Sequence, residues 1–247
     1  MRWRLLRFER NGAAFNMALD EAILTAVAGG RSPPTIRLYG WSPDAVTIGR
    51  FQEVEEVVDL EACQAMGVDV VRRMTGGGAV FHSSAGEVTY SLIAPEAVMG
   101  MDINATYRDV CHRVVRALGR IGIGSTFVPI NDIVTGGKKI SGSAQTRRSG
   151  AVLQHGTILY DLDRERMFRA LKVSEMKISD KGIPSPGERV TSVLERSNAG
   201  LGELLEALER EMVLGLDHLV GGVRKEELML AAEAERRYSE EEWNLRR

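Results

Sequence analysis

The sequence predicts an α/β (α+β) fold, in which short strands alternate with helices along the 247 residues. Apolar runs of about four to eight residues, bounded by glycine, proline or asparagine, are typical of strands. Longer segments with apolar residues spaced by three or four are typical of helices packed on one face. With 44% hydrophobic and 27% charged residues, the composition is that of a soluble globular protein with a sizeable core.

In the first half of the chain, six apolar runs predict strands and two segments predict helices. Asn16 is placed to cap the first helix, and Gly29 and Gly30 indicate its end. Gly67 ends the second helix in the same way. The predicted strands are residues 3–8, 35–39, 45–48, 69–73, 79–82 and 87–93, and the predicted helices are residues 16–27 and 59–66.

The second half opens with the clearest helix, residues 106–121, in which Val110, Val114 and Leu118 repeat every four positions. Gly136 and Gly137, between two apolar segments, predict a hairpin turn. Two prolines and two glycines within residues 179–187 predict a mobile loop near the site. The remaining predictions are strands near residue 133 and at 139–143 and 151–160, and helices at 164–171, 201–214 and 225–236.

Charge and cysteine content exclude several classes of function. A net charge of −2 lacks the basic excess that nucleic-acid-binding proteins carry. The two cysteines, Cys63 and Cys111, fall in predicted helices, which argues against a disulfide framework and favours a reducing cytoplasm. No apolar run approaches the roughly 18 residues that span a bilayer, and the charged N-terminal segment is unlike a signal peptide. We therefore expect a cytoplasmic protein without nucleic-acid or membrane partners.

The most informative segment, residues 71–82, reads Val-Arg-Arg-Met-Thr-Gly-Gly-Gly-Ala-Val-Phe-His. It joins the end of an apolar strand to two arginines, Arg72 and Arg73, and to three glycines. Glycines permit close approach of the backbone, whose N–H groups cradle oxyanions, and guanidinium groups fit phosphate or carboxylate. Taken alone, the segment indicates an anion-binding loop.

A second segment, residues 131–145, has the same character and reads Asn-Asp-Ile-Val-Thr-Gly-Gly-Lys-Lys-Ile-Ser-Gly-Ser-Ala-Gln. Its predicted hairpin places Lys139 beside residues too small to block a ligand. Two glycine- and cation-rich segments in one chain favour a nucleotide-phosphate or acyl-phosphate site. Because the histidines lack cysteine partners at metal-ligand spacing, and no Gly-x-Ser-x-Gly elbow occurs, we expect neither a zinc site nor a serine hydrolase.

Four ordered blocks resemble the lipoate–protein ligase family, within the wider group of biotin–protein ligases and octanoyltransferases. They are the arginine–glycine block at 72–82, Asn131-Asp132, the Lys-Ile-Ser-Gly-Ser-Ala run from Lys139, and Gln-His-Gly-Thr at 154–157. The resemblance extends from about residue 15 to residue 244. It implies a single catalytic domain over residues 1–247, with no C-terminal accessory domain. The implied fold is a mixed, largely antiparallel sheet flanked by helices, of the biotin/lipoyl-protein ligase catalytic-domain type.

The resemblance implies that ATP activates lipoate to lipoyl-AMP and that the lipoyl group passes to a lysine of an acceptor domain. Lys139 would be the catalytic residue, bridging the carboxyl oxygen and the α-phosphate and then polarising the mixed anhydride. Asp132 would contact Mg²⁺. The implied substrate-binding residues are Arg72, Arg73, Gly76, Gly77, Gly78, Ala79, Val80, Phe81, His82, Asn131, Ser143, Ala144, His155, Gly156 and Thr157.

Several of these residues also have a purely structural interpretation. For Arg72 and Arg73 the structural alternative is a surface ion pair. Because successive residues of a strand face opposite sides, we expect only one of them to face the ligand directly, and the resemblance favours Arg73. The structural alternatives are a core strand for Val80 and Phe81, a strand end for His82, a hairpin turn for Asp132 and a framework role for His155.

The implied partners are an apo lipoyl domain or a glycine cleavage H-like acceptor protein. Full-length bacterial ligases carry an additional C-terminal domain, and this chain stops soon after Trp243 and Asn244. The sequence therefore also predicts a separately encoded accessory subunit.

The main alternative is an octanoyltransferase, which moves octanoyl from acyl carrier protein through a cysteine thioester. That reaction needs a thiolate beside the lysine. Related enzymes place this cysteine where the chain has residues 129–132, or downstream of the histidine block, and neither position holds a cysteine here. We therefore prefer the hypothesis of a lipoate–protein ligase. A biotin–protein ligase and a non-catalytic acyl- or nucleotide-binding module are further alternatives.

Overall fold

The computed structural model describes residues 1–172 and 189–246, in two β-sheets and nine helices. The loop predicted at residues 179–187 lies outside the described residues. The strands are β1 (Trp3–Asn11), β2 (Thr35–Trp41), β3 (Ala45–Ile48), β4 (Asp69–Arg72), β5 (Val80–His82), β6 (Glu87–Pro95), β7 (Thr126–Val128), β8 (Asp132–Thr135), β9 (Lys138–Arg148), β10 (Ala151–Leu159) and β11 (His218–Val220).

The helices account for most of the rest of the described chain. They are α1 (Ala13–Ala28), α2 (Val54–Val57), α3 (Leu60–Met66), α4 (Glu96–Met99), α5 (Ile103–Arg120), α6 (Arg164–Ala170), α7 (Leu201–Met212), α8 (Lys225–Ser239) and α9 (Glu241–Asn244). Among the described residues, no helix combines the length and apolar character that crossing a lipid bilayer requires.

The large sheet has eight strands in the order β11-β1-β2-β6-β10-β9-β8-β7. β1 is parallel to both of its neighbours, and every other adjacent pair is antiparallel. The small sheet has the order β4-β3-β5, with β4 parallel and β5 antiparallel to β3. The predicted mixed, largely antiparallel sheet flanked by helices is therefore confirmed.

Helices cover both faces of the large sheet. α5 and α7 pack on one face through buried residues such as Val114, Leu118 and Leu208. α1 and α8 pack together on the other face, where Ile23 and Ala231 are fully buried. The helical periodicity predicted for α5 is confirmed, although the helix begins earlier than predicted because the Asp102 carboxylate accepts hydrogen bonds from two backbone N–H groups of its first turn.

The predicted cap of the first helix is wrong. α1 begins at Ala13 after Gly12, and Asn16 lies one turn inside the helix, where it is fully buried. The Asn16 side chain donates to the carbonyls of Gly40 and Asn11 and accepts from Arg37. It therefore ties α1 to the sheet, a role that requires the neighbouring strand and has no signal in the local sequence.

The hairpin predicted around Gly136 and Gly137 is confirmed. Both glycines have positive φ, 53° and 74°, as a two-residue turn between β8 and β9 requires. A register shift between Ile133 and Val134 interrupts this β8–β9 ladder. The hairpin brings Lys139, at the start of β9, toward the interface between the two sheets.

Candidate active site at the junction of the two sheets

A cavity of about 340 Å³ lies where β5 and the glycine loop, residues 76–78, meet β9 and β10 of the large sheet. This volume is at the lower end of the range found for small-molecule sites. Thr47 of β3, Thr89 of β6 and Asn131 add polar atoms to the wall. The apolar lining comes from Met17, Tyr39, Trp41, Val80, Phe81, Leu159, Met167, Phe168, Leu171 and Val190.

Most of the residues predicted from sequence are brought together at this cavity. Three of them do not line it: Arg72, Gly76 and Asp132. Sequence reasoning missed the aromatic residues of β2 and the apolar residues of α6, because only the folded chain brings them beside β10. The predicted residues that line the cavity are Arg73, Gly77, Gly78, Ala79, Val80, Phe81, His82, Asn131, Lys139, Ser143, Ala144, His155, Gly156 and Thr157.

Lys139 is the ammonium group at the cavity that the sequence singles out. Its Nζ lies 2.7 Å from Oδ1 of Asp132, and both side chains are partly exposed, at 41% and 37%. Gly142 makes room for it, since a Cβ there would lie 2.7 Å from Lys139 Nζ. The backbone is fixed as well, because the Lys139 carbonyl accepts from the Thr191 N–H at 2.9 Å. Lys139 thus presents one cation to an otherwise largely apolar cavity.

Arg72 faces away from the cavity and holds the segment that follows α8. Its guanidinium is buried and donates to backbone carbonyls on two sides: those of Gly49, Arg50 and Gln52, and those of residues 243, 244 and 246. The Arg72 N–H also donates to the side chain of Asn244 at 2.8 Å. The sequence predicted that one of the two arginines would face the ligand, and the geometry selects Arg73. The structural alternative of a surface ion pair does not hold for Arg72, because its guanidinium is buried and its partners are backbone carbonyls.

Arg73 lines the cavity wall, but its side chain is engaged with the protein. The Nε donates to Thr75 Oγ1, Nη1 to the carbonyl and hydroxyl of Thr47, and Nη2 to the carbonyls of Gly76 and Gly78 at 2.7 and 2.8 Å. All five guanidinium N–H groups therefore have acceptors. Burial lowers the pKa of Arg73 to about 10.

The two cavity histidines are bonded to buried carboxylates. His155 Nδ1 lies 3.4 Å from Asp20, and burial lowers the pKa of His155 although Asp20 opposes this. His82 Nδ1 lies 2.7 Å from Glu87, and its ring stacks on Trp41 with centroids 4.0 Å apart. Both residues line the cavity and also belong to its hydrogen-bonded framework, and their contact with substrate stays a prediction.

Gly156 is required by close packing behind the cavity. A Cβ at this position would lie 2.4 Å from the hydroxyl oxygen of Tyr90 and 2.8 Å from Cβ of Ser143. We expect Gly156→Ala to lower the free energy of unfolding by about 1–3 kcal/mol, because the buried Tyr90 ring must move. Urea unfolding checks this, with Gly202→Ala in α7 as the matched control, since a Cβ there meets open space. Equal stability of the two variants would contradict the expectation.

Solved structures of lipoate–protein ligases have the same fold. The bi-partite lipoate protein ligase of Thermoplasma acidophilum, described together with its E2 lipoyl domain, superposes with a TM-score of 0.87 at 32% identity, over 99% of this chain and 96% of that one. A lipoate-protein ligase A bound with ATP gives a TM-score of 0.86 at 32% identity, over 99% of both chains.

The relatives that match in sequence are named as octanoyltransferases rather than as ligases. An octanoyltransferase LipM of Kyrpidia tusciae is 36% identical over 99% of both chains, and one of Clostridioides difficile is 31% identical over 99% of both. Residues 12–212 match the lipoyl protein ligase A/B catalytic domain. The chain belongs to this family. It is an enzyme of the lipoyl- and octanoyl-transfer group, and the named relatives favour the octanoyltransferase alternative over the ATP-dependent ligase predicted from sequence.

Proposed function

We propose that the enzyme transfers an octanoyl or lipoyl group to a lysine of a lipoyl-domain acceptor, without an intermediate bound to cysteine. The acyl chain occupies the apolar cavity, and its carbonyl lies at Lys139. The ammonium of Lys139 stabilises the negative charge that develops on the carbonyl oxygen as the acceptor amine attacks. The C–N bond of the amide forms, the bond to the leaving group breaks, and the amine proton passes to the departing thiolate or, when AMP leaves, to water.

The burial of both cysteines supports a mechanism without a cysteine intermediate. Cys63 is buried in the core between α3 and α6 and does not line the cavity. Cys111 is fully buried in α5, with its Sγ 3.7 Å from the Ser143 hydroxyl. Burial raises the pKa of each thiol to about 11. Because the thiolate is the nucleophile, neither cysteine suits a thioester intermediate near neutral pH.

An octanoyl thioester of a carrier protein is the donor that the named relatives favour. In a thiol-free reaction the acceptor lysine attacks this thioester directly, and the carrier thiol is the leaving group. The apolar lining of the cavity suits either acyl chain, because octanoyl and lipoyl share a long apolar stem.

An acyl adenylate is the second candidate donor, with AMP as the leaving group. It is favoured by the high pKa values of both thiols and by the likeness to ligases, including one bound with ATP. Among the described residues, no three side chains of the histidine, cysteine, aspartate or glutamate type form a metal site. Mg²⁺ at Asp132 would therefore take its remaining ligands from nucleotide phosphate and water.

Intact mass of an apo lipoyl domain, incubated with the enzyme under three donor conditions, tests the proposal. The donors are octanoyl carrier protein, synthetic lipoyl-AMP, and lipoate with Mg-ATP. We expect acylation with at least one donor, and we expect the rate to survive in Cys63→Ser and Cys111→Ser. Loss of transfer in either variant, or an acyl adduct trapped on the enzyme, would contradict the thiol-free mechanism.

The same experiment distinguishes the donors and the need for a partner. Acylation from carrier protein alone identifies an octanoyltransferase, whereas acylation from lipoyl-AMP identifies a ligase. Transfer from lipoyl-AMP without activity on lipoate and Mg-ATP would indicate that activation requires an accessory subunit, as in the bi-partite arrangement described for the Thermoplasma enzyme.

A further inference from the structure

Two chains of buried polar side chains meet at Arg73. One runs from Asp20 in α1 through His155 in β10 to Thr75, with distances of 3.4 Å from carboxylate to ring and 2.8 Å from ring to hydroxyl. Thr75 then accepts from Arg73 Nε at 3.1 Å. We call this the Asp20 relay.

The second chain has the same chemical order on the other side of the guanidinium. Glu87 in β6 lies 2.7 Å from His82 in β5, and His82 Nε2 lies 2.8 Å from the hydroxyl of Thr47 in β3. Thr47 accepts from Arg73 Nη1 at 3.2 Å. We call this the Glu87 relay. Each relay reads carboxylate, histidine, threonine, arginine.

Hydrogen-bonding capacity allows one continuous direction along each relay. An arginine only donates, an ionised carboxylate only accepts, and a hydroxyl does both. Each threonine oxygen accepts from Arg73, and its own O–H can donate to Nε2 of the histidine. In that arrangement each histidine carries its proton on Nδ1 and donates it to the carboxylate. For His155 this agrees with the pKa that burial lowers.

The relays stabilise a buried cation that has no direct carboxylate partner among the described residues. An isolated buried guanidinium is costly, and its pKa falls for that reason. The relays bring two carboxylates into the network at a distance of two side chains. With its position fixed, the Nη2 of Arg73 holds the carbonyls of Gly76 and Gly78.

The held carbonyls set the orientation of the neighbouring N–H groups. In a trans peptide the C=O and N–H point in opposite directions. The N–H groups of Gly77 and Ala79 therefore point away from the Arg73 guanidinium, and neither donates to another backbone group among the described residues. Gly77 and Ala79 both line the cavity.

We propose that Asp20, His155, Thr75, Glu87, His82 and Thr47 are positioning residues, whose two relays lock Arg73 and thereby hold the glycine loop in the orientation that binds the oxyanion of the acyl donor. The oxyanion is that of the reacting carbonyl or of a phosphate on the leaving group. This inference deepens the proposed function, since it assigns the loop amides to the donor at the same site.

Thr75→Val is the test variant, because it removes one hydroxyl at nearly constant volume, and Thr75→Ser restores it. Thr135→Val is the matched control: Thr135 is also buried and donates to one carbonyl, of Gly124, at 2.7 Å. The readout is amide hydrogen exchange at the two hydrogen-bonded amides that flank the glycine loop, measured on the unliganded protein. The Arg73 N–H donates to the Ile48 carbonyl at 3.0 Å and the Arg50 N–H to the Thr75 carbonyl at 2.9 Å, so both are expected to lose protection when the loop loosens. Thr47→Val and Thr47→Ser test the second relay in the same way.

We expect exchange at the two flanking amides to rise by about tenfold in Thr75→Val, to return toward the wild-type rate in Thr75→Ser, and to stay unchanged in Thr135→Val. Transfer from the donor that the wild type accepts should fall about tenfold in kcat in the same variant. In an Arg73→Lys background, Thr75→Val should add little, because the relay no longer has the guanidinium as its end point.

Unchanged exchange at these amides in Thr75→Val would overturn the inference, as would an equal increase in Thr135→Val. Because this readout needs no donor, it is independent of the proposed function. Failure of the proposed function would appear separately, as a wild-type enzyme with protected flanking amides that acylates no lipoyl domain from any of the three donors.

Discussion

Replacing Lys139 by alanine is expected to reduce acyl transfer by roughly 10²–10³-fold or more, because this ammonium is the group placed to stabilise charge at the reacting carbonyl. The free energy of unfolding should change little. The Lys139 side chain is 41% exposed and pairs with a carboxylate that is also partly exposed, and such ion pairs contribute at most about 1 kcal/mol. Intact-mass kinetics and thermal unfolding check the two halves of this prediction.

Two controls isolate the ammonium. Lys138→Ala removes the neighbouring cation, whose side chain faces the other side of the strand, and should leave transfer close to the wild-type rate. Lys139→Ala combined with Asp132→Asn removes the carboxylate that Lys139 would otherwise leave unpaired. If the double variant regained transfer, the loss would come from the exposed charge of Asp132, and the assignment of Lys139 would be wrong.

Replacing Arg72 by methionine is expected to lower the free energy of unfolding by about 3–5 kcal/mol, since the change strands buried backbone carbonyls that the guanidinium now satisfies. Arg72→Lys should recover part of this loss, because an ammonium offers three donors without the planar fork. Urea unfolding measures the loss, and limited proteolysis should show faster cleavage near residues 240–246.

Arg2→Met is the matched control for this prediction. Arg2 pairs with Asp217 at 3.2 Å, but both side chains are more than 60% exposed. Its removal should change stability by less than about 1 kcal/mol. An unfolding midpoint for Arg72→Met equal to that of Arg2→Met would show that the carbonyls find water or other donors once the guanidinium is gone.

Local sequence patterns were sufficient where the structure depends on near neighbours. The periodicity of α5, the two-glycine turn before Lys138 and the alternation of strands and helices all follow from residues close together in the chain. Glycine and cation content also pointed to the glycine loop and to the segment that holds Lys139, and the family resemblance selected Lys139; both border the cavity, and their roles in binding and catalysis stay predictions.

Patterns failed where a side chain depends on residues distant in sequence. Asn16 is of a residue type that often caps helices, but its hydrogen-bond partners belong to β2 and to the end of β1. Asp20 and Glu87 are acidic residues, which usually lie at the surface, yet both are buried beside cavity histidines. Strand alternation limited Arg72 and Arg73 to opposite faces, but only the packed structure shows which one reaches the cavity.

The hydrogen bonds from Arg72 to residues 243, 244 and 246 have a consequence for folding while the chain is synthesised. The strand before the glycine loop is completed by partners that leave the ribosome about 170 residues later, as Arg72 and Asn244 are 172 positions apart. At translation rates of roughly 5–20 residues per second, that interval lasts on the order of ten to thirty seconds. During this time Arg72 has only the carbonyls of residues 49, 50 and 52 as acceptors, because its partners at residues 243, 244 and 246 have not been synthesised. A chain cut short before residue 243 is therefore expected to lack these partners of Arg72 and to hold the strand before the glycine loop less tightly.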